Sequence, residues 1–99
     1  MSRFQSTLST ADQEARMAAI NTSFAEARDE IEYALEDAET TYFNESATTA
    51  QEAVKKTLDM YGELLALANE DDRARIQRSM GLKMEQLKAE VKQLDSLHA

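Results

Sequence analysis

The sequence predicts an all-α protein, an antiparallel up-down-up bundle of three helices in which the first helix is long. Apolar residues recur at steps of three or four in three successive segments, which is the period of one helical face and not of a strand. The 99 residues include no proline and no cysteine, so no helix-breaking ring and no disulfide is expected. Short connections make consecutive helices antiparallel neighbours, so the first and third helices lie side by side and parallel.

The first helix is predicted to begin at Ser9 or Thr10 and to end at Phe43, a rise of roughly 50 Å. Asn44 can end it by adopting the left-handed conformation. Residues 21–23, Asn-Thr-Ser, are three poor helix formers in a row. The segment is therefore either one unbroken helix, the form we prefer, or a short helix, a kink and a longer helix. The apolar stripe of this helix is Met17, Ile20, Phe24, Ala27, Ile31, Leu35, Ala38 and Tyr42.

The second helix is predicted to start near Ser46 or at Thr49 and to end at Asn69. Gly62 lies inside it and either permits close helix packing or is a weak point that costs about 1 kcal/mol relative to alanine. The third helix follows a tight turn, and the acidic residues 70–72 stabilise its amino end. The apolar stripes of these helices are Ala50, Val54, Leu58, Tyr61, Leu64 or Leu65, and Ala68, followed by Ile76, Met80, Met84, Leu87, Val91 and Leu94.

The predicted first helix exceeds the second by several turns, which leaves part of its apolar stripe without a partner inside the bundle. The segment Met17–Phe24 is the part affected, and we expect self-association or a larger assembly to cover it. Charge supports the helix arrangement, because residues 11–44 contain nine acids and two bases whereas residues 73–99 contain six bases and three acids. Opposite net charges favour pairing of the first and third helices, although each exposed ion pair contributes only about 0–1 kcal/mol.

Composition limits the classes of partner and the location. The net charge of −8 disfavours nucleic acid and anionic membranes, because phosphate groups are bound by basic surfaces. No run of 18 apolar residues is present, so we expect no membrane insertion. Residues 10–97 are predicted to form a single domain behind a flexible tail, residues 1–9. The tail contains Arg3 and no acid, so it is either a frayed end or a presequence remnant. We expect an intracellular location, either cytoplasmic or, after presequence removal, mitochondrial or plastid.

The sequence offers few groups for catalysis. His98 is the single histidine, and a di-iron bundle needs Glu-x-x-His pairs that the sequence lacks. Glu32, Glu36 and Glu39 share one predicted helix face, where they either hold a cation weakly or form a solvated acidic surface, the interpretation we prefer. The sequence therefore predicts a protein that is not an enzyme and that uses no metal or cofactor.

A second stripe on the third helix is the candidate partner-binding surface. It carries no charge, although 30% of the residues of the chain are charged. An uncharged strip on such a chain is expected to form the edge of a groove that receives a partner helix. The alternative is that it widens the buried face against the other two helices. The stripe consists of Ser79, Leu82, Gln86, Ala89 and Gln93.

Two resemblances to known families follow from particular segments. Residues 42–45 (Tyr-Phe-Asn-Glu) and 77–90 (from Gln-Arg-Ser-Met-Gly-Leu to Lys-Ala-Glu) resemble segments of a small plant and algal helical family called embryogenesis-like. That resemblance implies a eukaryotic helical protein and brings no established activity. Residues 52–94 are similar in architecture to the last two helices of microtubule-interacting-and-transport (MIT) domains. That resemblance implies a three-helix bundle that binds short peptide helices in grooves beside its third helix.

Two functional hypotheses therefore stand. The chain is either an interaction protein that serves as an accessory subunit or assembly factor of a larger complex, or an MIT-like adaptor that binds short peptide helices. An overhanging first helix favours the accessory subunit. A solvent-facing second stripe favours the adaptor.

Overall fold

The computed structural model describes residues 8–97, and this part of the chain folds into three helices without a strand. They are α1 (Thr10–Glu36), α2 (Phe43–Leu67) and α3 (Glu70–Ser96). Arg16 near the start of α1 pairs with Glu63 near the end of α2, as expected of antiparallel neighbours. The all-α, three-helix prediction with a long first helix is confirmed. The predicted tail falls mostly on residues 1–7, outside the described residues.

The amino end of α1 is capped by a side chain, and the helix continues through its weak segment. Ser9 Oγ accepts a hydrogen bond from the backbone N–H of Asp12 at 3.0 Å, which satisfies one of the free donors of the first turn. Further along, α1 continues without a break through residues 21–23. The Thr22 hydroxyl there donates to the carbonyl oxygen of Ala18, one turn earlier in the same helix, at 3.2 Å. The unbroken form of α1 is therefore confirmed.

The predicted boundary between the first two helices is wrong. α1 ends at Glu36 and not at Phe43, and α2 already begins at Phe43. The left-handed residue of the connection is Glu39, with φ of 72°, and not Asn44. Asp37 organises this turn, because its carbonyl oxygen accepts from the Thr40 N–H at 2.9 Å and its carboxylate accepts from the Ser46 hydroxyl in the first turn of α2.

The shorter α1 removes the predicted overhang. α1 contains 27 residues and α2 contains 25, so both rise about 40 Å. Ile20, in the middle of the segment that was expected to lack a partner, is 1% exposed and belongs to a cluster with Leu64 and Met80. Within this segment Ile20 is buried and Met17 and Phe24 are partly buried against the core, and the described α1 has no overhang to support self-association through it.

Small side chains separate α1 from α2, and large ones come from α3. The α1 and α2 backbones approach each other more closely than either approaches α3. The buried residues of these two helices include many alanine, serine and threonine side chains beside larger ones such as Ile20, Ile31 and Leu64, whereas the buried residues of α3 are all long. The small residues are Ser23, Ala27, Ala34, Ala47, Ala50 and Thr57, and the buried α3 residues are Ile76, Met80, Met84, Leu87 and Leu94. The long side chains of α3 thus share core clusters with the smaller buried residues of α1 and α2.

Buried polar groups within the described residues are paired. Ser23 Oγ and Thr57 Oγ1 lie 2.7 Å apart between α1 and α2. Because Thr57 also donates to the carbonyl oxygen of Ala53 at 3.0 Å, the Ser23 hydroxyl is the donor to Thr57. Gln13 is buried near the start of α1. Its side-chain N–H donates to the Asp72 carboxylate at 3.0 Å, and its side-chain oxygen accepts from the Arg75 guanidinium at 2.7 Å. These bonds fix the amino ends of the parallel helices α1 and α3 together.

The connection between α2 and α3 is short and fully capped. α2 ends at Leu67, and Asn69, predicted to end α2, instead caps α3 by accepting from the Asp72 N–H at 2.8 Å. The Arg73 guanidinium donates to the carbonyl oxygens of Leu65 at 3.0 Å and Ala68 at 3.2 Å. One arginine of α3 therefore donates to two carbonyl groups at the end of α2, where few backbone partners remain.

Gly62 is a weak point of α2 and not a close-packing site. A Cβ built on Gly62 meets no other atom of the described structure within 4 Å. Gly62→Ala should therefore raise the free energy of unfolding by roughly 0.5–1 kcal/mol, because alanine is the better helix former. Urea denaturation measures the change. Lys56→Gly, at an exposed position inside α2, should lower stability by a similar amount, and a loss of stability in Gly62→Ala would contradict the assignment.

The left-handed conformation of Glu39 stores a small strain. Glu39→Gly should raise the free energy of unfolding by up to about 1 kcal/mol, because glycine has no Cβ to clash in this conformation. Glu32→Gly, inside α1, should lower it by about 1 kcal/mol. Thermal denaturation by circular dichroism measures both variants, and equal losses would show that the turn is not strained.

Candidate docking surface along α3

The predicted partner-binding residues lie together on the solvent-facing side of α3. All five are exposed, and Leu82 is 77% exposed, which is more than the other large apolar residues of the described chain. The alternative that this stripe widens the buried face is therefore wrong. We call this surface the outer strip, and it consists of Ser79, Leu82, Gln86, Ala89 and Gln93.

The sequence of α3 explains why the outer strip faces solvent. The long apolar side chains from Ile76 to Leu94 occupy one helical face, and the outer strip lies on the far side of the same helix. Charged residues border the strip on both sides, with Arg78 and Lys92 along one side and Lys83 along the other. The strip itself presents hydroxyl, amide and methyl groups, which suit contact with another protein surface better than contact with an ion.

A groove runs beside the outer strip, between the parallel helices α1 and α3. It encloses about 540 Å³, and Gln93 belongs both to the groove and to the outer strip. Its apolar floor comes from α1, where Phe24, Ile31 and the 43% exposed Leu35 follow one another along the helix. We call it the α1–α3 groove. On this side of the bundle the α1 and α3 backbones are further apart than the α1 and α2 backbones.

One bidentate ion pair connects the two walls of the groove. Arg28 Nε donates to Glu90 Oε1 at 3.1 Å, and Arg28 Nη2 donates to Glu90 Oε2 at 3.0 Å. The pair joins a base of α1 to an acid of α3, which is the reverse of the pairing that the net charges of the helices suggest. Both side chains are partly exposed, so its contribution to stability is within about 1 kcal/mol.

Phe24 lies at one end of the groove, and two cations lie close to its ring. The charged groups of Arg28 and Lys83 each lie 5.6 Å from the centre of the Phe24 ring. Lys83 also donates to the side-chain oxygen of Asn21 at 3.0 Å. Cations over an aromatic face contribute about 0.5–1 kcal/mol at exposed sites. These contacts help to hold the ring in this position.

The α1 rim of the groove is acidic and unpaired. Asp29 and Glu32 line it, and neither takes part in an ion pair within residues 8–97. They are three residues apart on one helix, so their side chains are neighbours. Since Glu90 neutralises Arg28, the described lining keeps a surplus of two negative charges. Sequence reasoning missed this rim, although the run of acids beside Phe24, Ile31 and Leu35 was the available signal.

The structure separates the carboxylates that were considered as a weak cation site. Because α1 ends at Glu36, Glu39 stands in the turn beyond the helix and does not share a face with Glu32. The described residues contain no group of three or more histidine, cysteine, aspartate or glutamate side chains arranged to hold a metal ion. His98 lies outside the described residues.

Two titratable groups outside the groove have raised pKa values. Burial raises the pKa of the Tyr61 phenol, and the negative charge of Glu85 adds to the effect. The hydrogen bond and charge of Asp59 raise the pKa of Lys55 on the surface of α2. Both shifts move the pKa values of these groups further from neutral pH.

Among the described helices, none is long and apolar enough to cross a bilayer.

Comparisons with known proteins identify relatives of this chain. The model of the embryogenesis-like protein helical domain matches residues 4–96. A protein of Arabidopsis thaliana named embryogenesis-like protein is 55% identical over 76 residues, which are 77% of this chain and 43% of that relative. The chain thus spans less than half the length of the curated relative that it matches. No solved structure matches the chain, and the similarity to MIT domains stays a prediction.

The exposure of Leu82 leads to a stability test. Leu82→Glu should change the free energy of unfolding by no more than about 0.5 kcal/mol, because the side chain already lies in water. Thermal denaturation by circular dichroism measures it. The matched change Met84→Glu, which places a charge in the core two residues away, should unfold much of the protein. A large loss of stability in Leu82→Glu would show that the outer strip belongs to the core.

Proposed function

This chain belongs to the embryogenesis-like helical family, and we propose that it acts as a non-enzymatic protein-interaction module. The outer strip of α3 is the observation that carries the proposal. It places an exposed leucine among uncharged side chains, on a protein of which 30% of the residues are charged. An uncharged surface suits a binding site, because no charged side chain has to lose its water when a partner covers it.

The form of the outer strip favours a helical segment of the partner. The strip follows the axis of α3 from Ser79 to Gln93, a rise of roughly 20 Å. A partner helix laid along this line would set its apolar residues against Leu82 and Ala89, and its polar residues against the hydroxyl and amide groups. This is the helix-in-groove mode, in which anchors recur every three or four residues.

Of the two settings expected from the sequence, the structure supports the peptide-binding adaptor more than the accessory subunit. The overhanging helix that favoured an accessory subunit or assembly factor is absent, and the outer strip that favoured an adaptor is exposed. Permanent interfaces are larger and more apolar than transient ones. The outer strip has Leu82 and Ala89 as its apolar members, a composition that suits a reversible contact.

Affinity capture with matched variants tests the proposed function. The tagged full chain, its Leu82→Glu variant and its Tyr33→Glu variant are used to recover proteins from source cells, with mass spectrometry as the readout. Tyr33 is 60% exposed on α1, so its change introduces the same charge at a comparable apolar surface position. We expect a partner that the wild-type chain and Tyr33→Glu retain and that Leu82→Glu loses by at least about tenfold, equivalent to 1.4 kcal/mol.

The same experiment can contradict the proposal. Partners that all three proteins recover equally would show that the outer strip is not the docking surface. Recovery of the subunits of one stable complex at equal amounts, independent of Leu82, would favour the accessory-subunit hypothesis with a different contact surface.

A further inference from the structure

We infer that the α1–α3 groove binds a basic amphipathic helix of a partner protein. This inference rests on the proposed interaction function and goes further, because it names the chemistry of the partner and a second contact surface. Gln93 belongs both to this groove and to the outer strip, so the two surfaces are adjacent on α3.

The floor of the groove has the length and pattern that an amphipathic helix needs. Phe24, Ile31 and Leu35 lie seven and four residues apart on α1, so they form a row of about 16 Å along one side of the helix. Ile31 is only 4% exposed and the Arg28–Glu90 pair joins the walls of the groove, so Phe24 and Leu35 are the members of the row that a partner can contact. A partner helix presents apolar anchors at i, i+3 or i+4, and i+7, over a rise of about 10 Å. The cation-flanked Phe24 ring closes one end of the row, and the partly exposed Leu35 leaves the other end open.

The negative charge of the rim favours a partner helix with a positive charge. Asp29 and Glu32 stand one helical turn apart with no ion-pair partner in the described chain. Arg28, the base that lines the groove, already donates to both carboxylate oxygens of Glu90 through two of its three guanidinium nitrogens. A partner helix with Lys or Arg beside its apolar stripe would pair with the two free carboxylates, whereas an acidic helix would meet like charge. Such complementarity gives specificity and raises association rates.

A second copy of this chain is the less favoured occupant. Each chain carries a net charge of −8, so two copies repel each other at long range. In addition, Ile20 of the segment that was expected to require self-association is buried, and Met17 and Phe24 are partly buried against the core. A partner of opposite charge meets neither obstacle.

A pair of designed peptides tests the chemistry of the partner. Both are helical, with leucine at i, i+4, i+7 and i+11. One carries lysine beside this stripe, and the other carries glutamate at the same positions. Fluorescence anisotropy with the full chain at low salt measures the two dissociation constants. We expect the lysine peptide to bind at least about tenfold more tightly and to lose affinity as salt rises, because the rim is solvent-exposed.

Charge reversal on the protein tests whether the peptide binds at the α1 rim of the groove. Asp29→Lys/Glu32→Lys should weaken binding of the lysine peptide at least about tenfold and should create binding of the glutamate peptide. Glu26→Lys/Glu30→Lys is the matched control, because it makes the same charge change on the flank of α1 that does not line the groove. It should alter the affinity of the lysine peptide by less than about threefold through the general field. Circular dichroism confirms that both variants fold.

Three results would overturn the inference. The first is equal affinity of the two peptides, and the second is an equal loss of binding in the two double variants. The third is a dimer, seen by analytical ultracentrifugation, that the lysine peptide does not displace, since this would make a second copy the occupant. If the peptides fail while a cellular partner still depends on Leu82, the interaction function stands and the basic-helix inference alone is wrong.

Discussion

The close contact between α1 and α2 is the constraint on which the rest of this bundle depends. Ala27 and Ala34 on one helix and Ala47 and Ala50 on the other are buried, and they leave little side-chain volume between the two backbones. Dispersion attraction over this close contact depends on small residues, since a larger side chain at any of these positions would push the helices apart. The Ser23–Thr57 hydrogen bond also fixes how α1 and α2 are positioned along each other at this contact.

The position and exposure of α3 follow from this constraint. Two helices that pack so closely leave a wide shallow surface, and α3 fills it with methionine, leucine and isoleucine side chains that hold its backbone further away. The greater separation from α1 opens the α1–α3 groove, and the concentration of apolar residues on one face of α3 leaves the outer strip to solvent. Both candidate contact surfaces are thus consequences of where the small and large residues stand in the sequence.

Sequence periodicity predicted the helices and the outer strip, but it did not predict the end of α1 or the groove. The apolar stripe runs on through Ala38 and Tyr42, so periodicity alone extends the helix, whereas the bonds of Asp37 and the left-handed Glu39 end it earlier. Those bonds join residues up to nine positions apart and have no periodic signature. The groove depends on the spacing of two helices and on the Arg28–Glu90 pair, whose members are far apart in sequence.

The unequal packing of the three helices also implies an order of opening. The α1–α2 hairpin consists of neighbours in sequence in close contact, while α3 is attached by one bulky face, the Gln13 network and the Arg28–Glu90 pair. We expect sub-global opening to separate α3 from the α1–α2 hairpin, because the α3 backbone lies further from the other two than they lie from each other. A ligand bridging α1 and α3 binds the attached state alone, and by mass action it slows amide exchange throughout α3. The helix that carries the contact surfaces is therefore also the part of the fold whose stability an occupant controls.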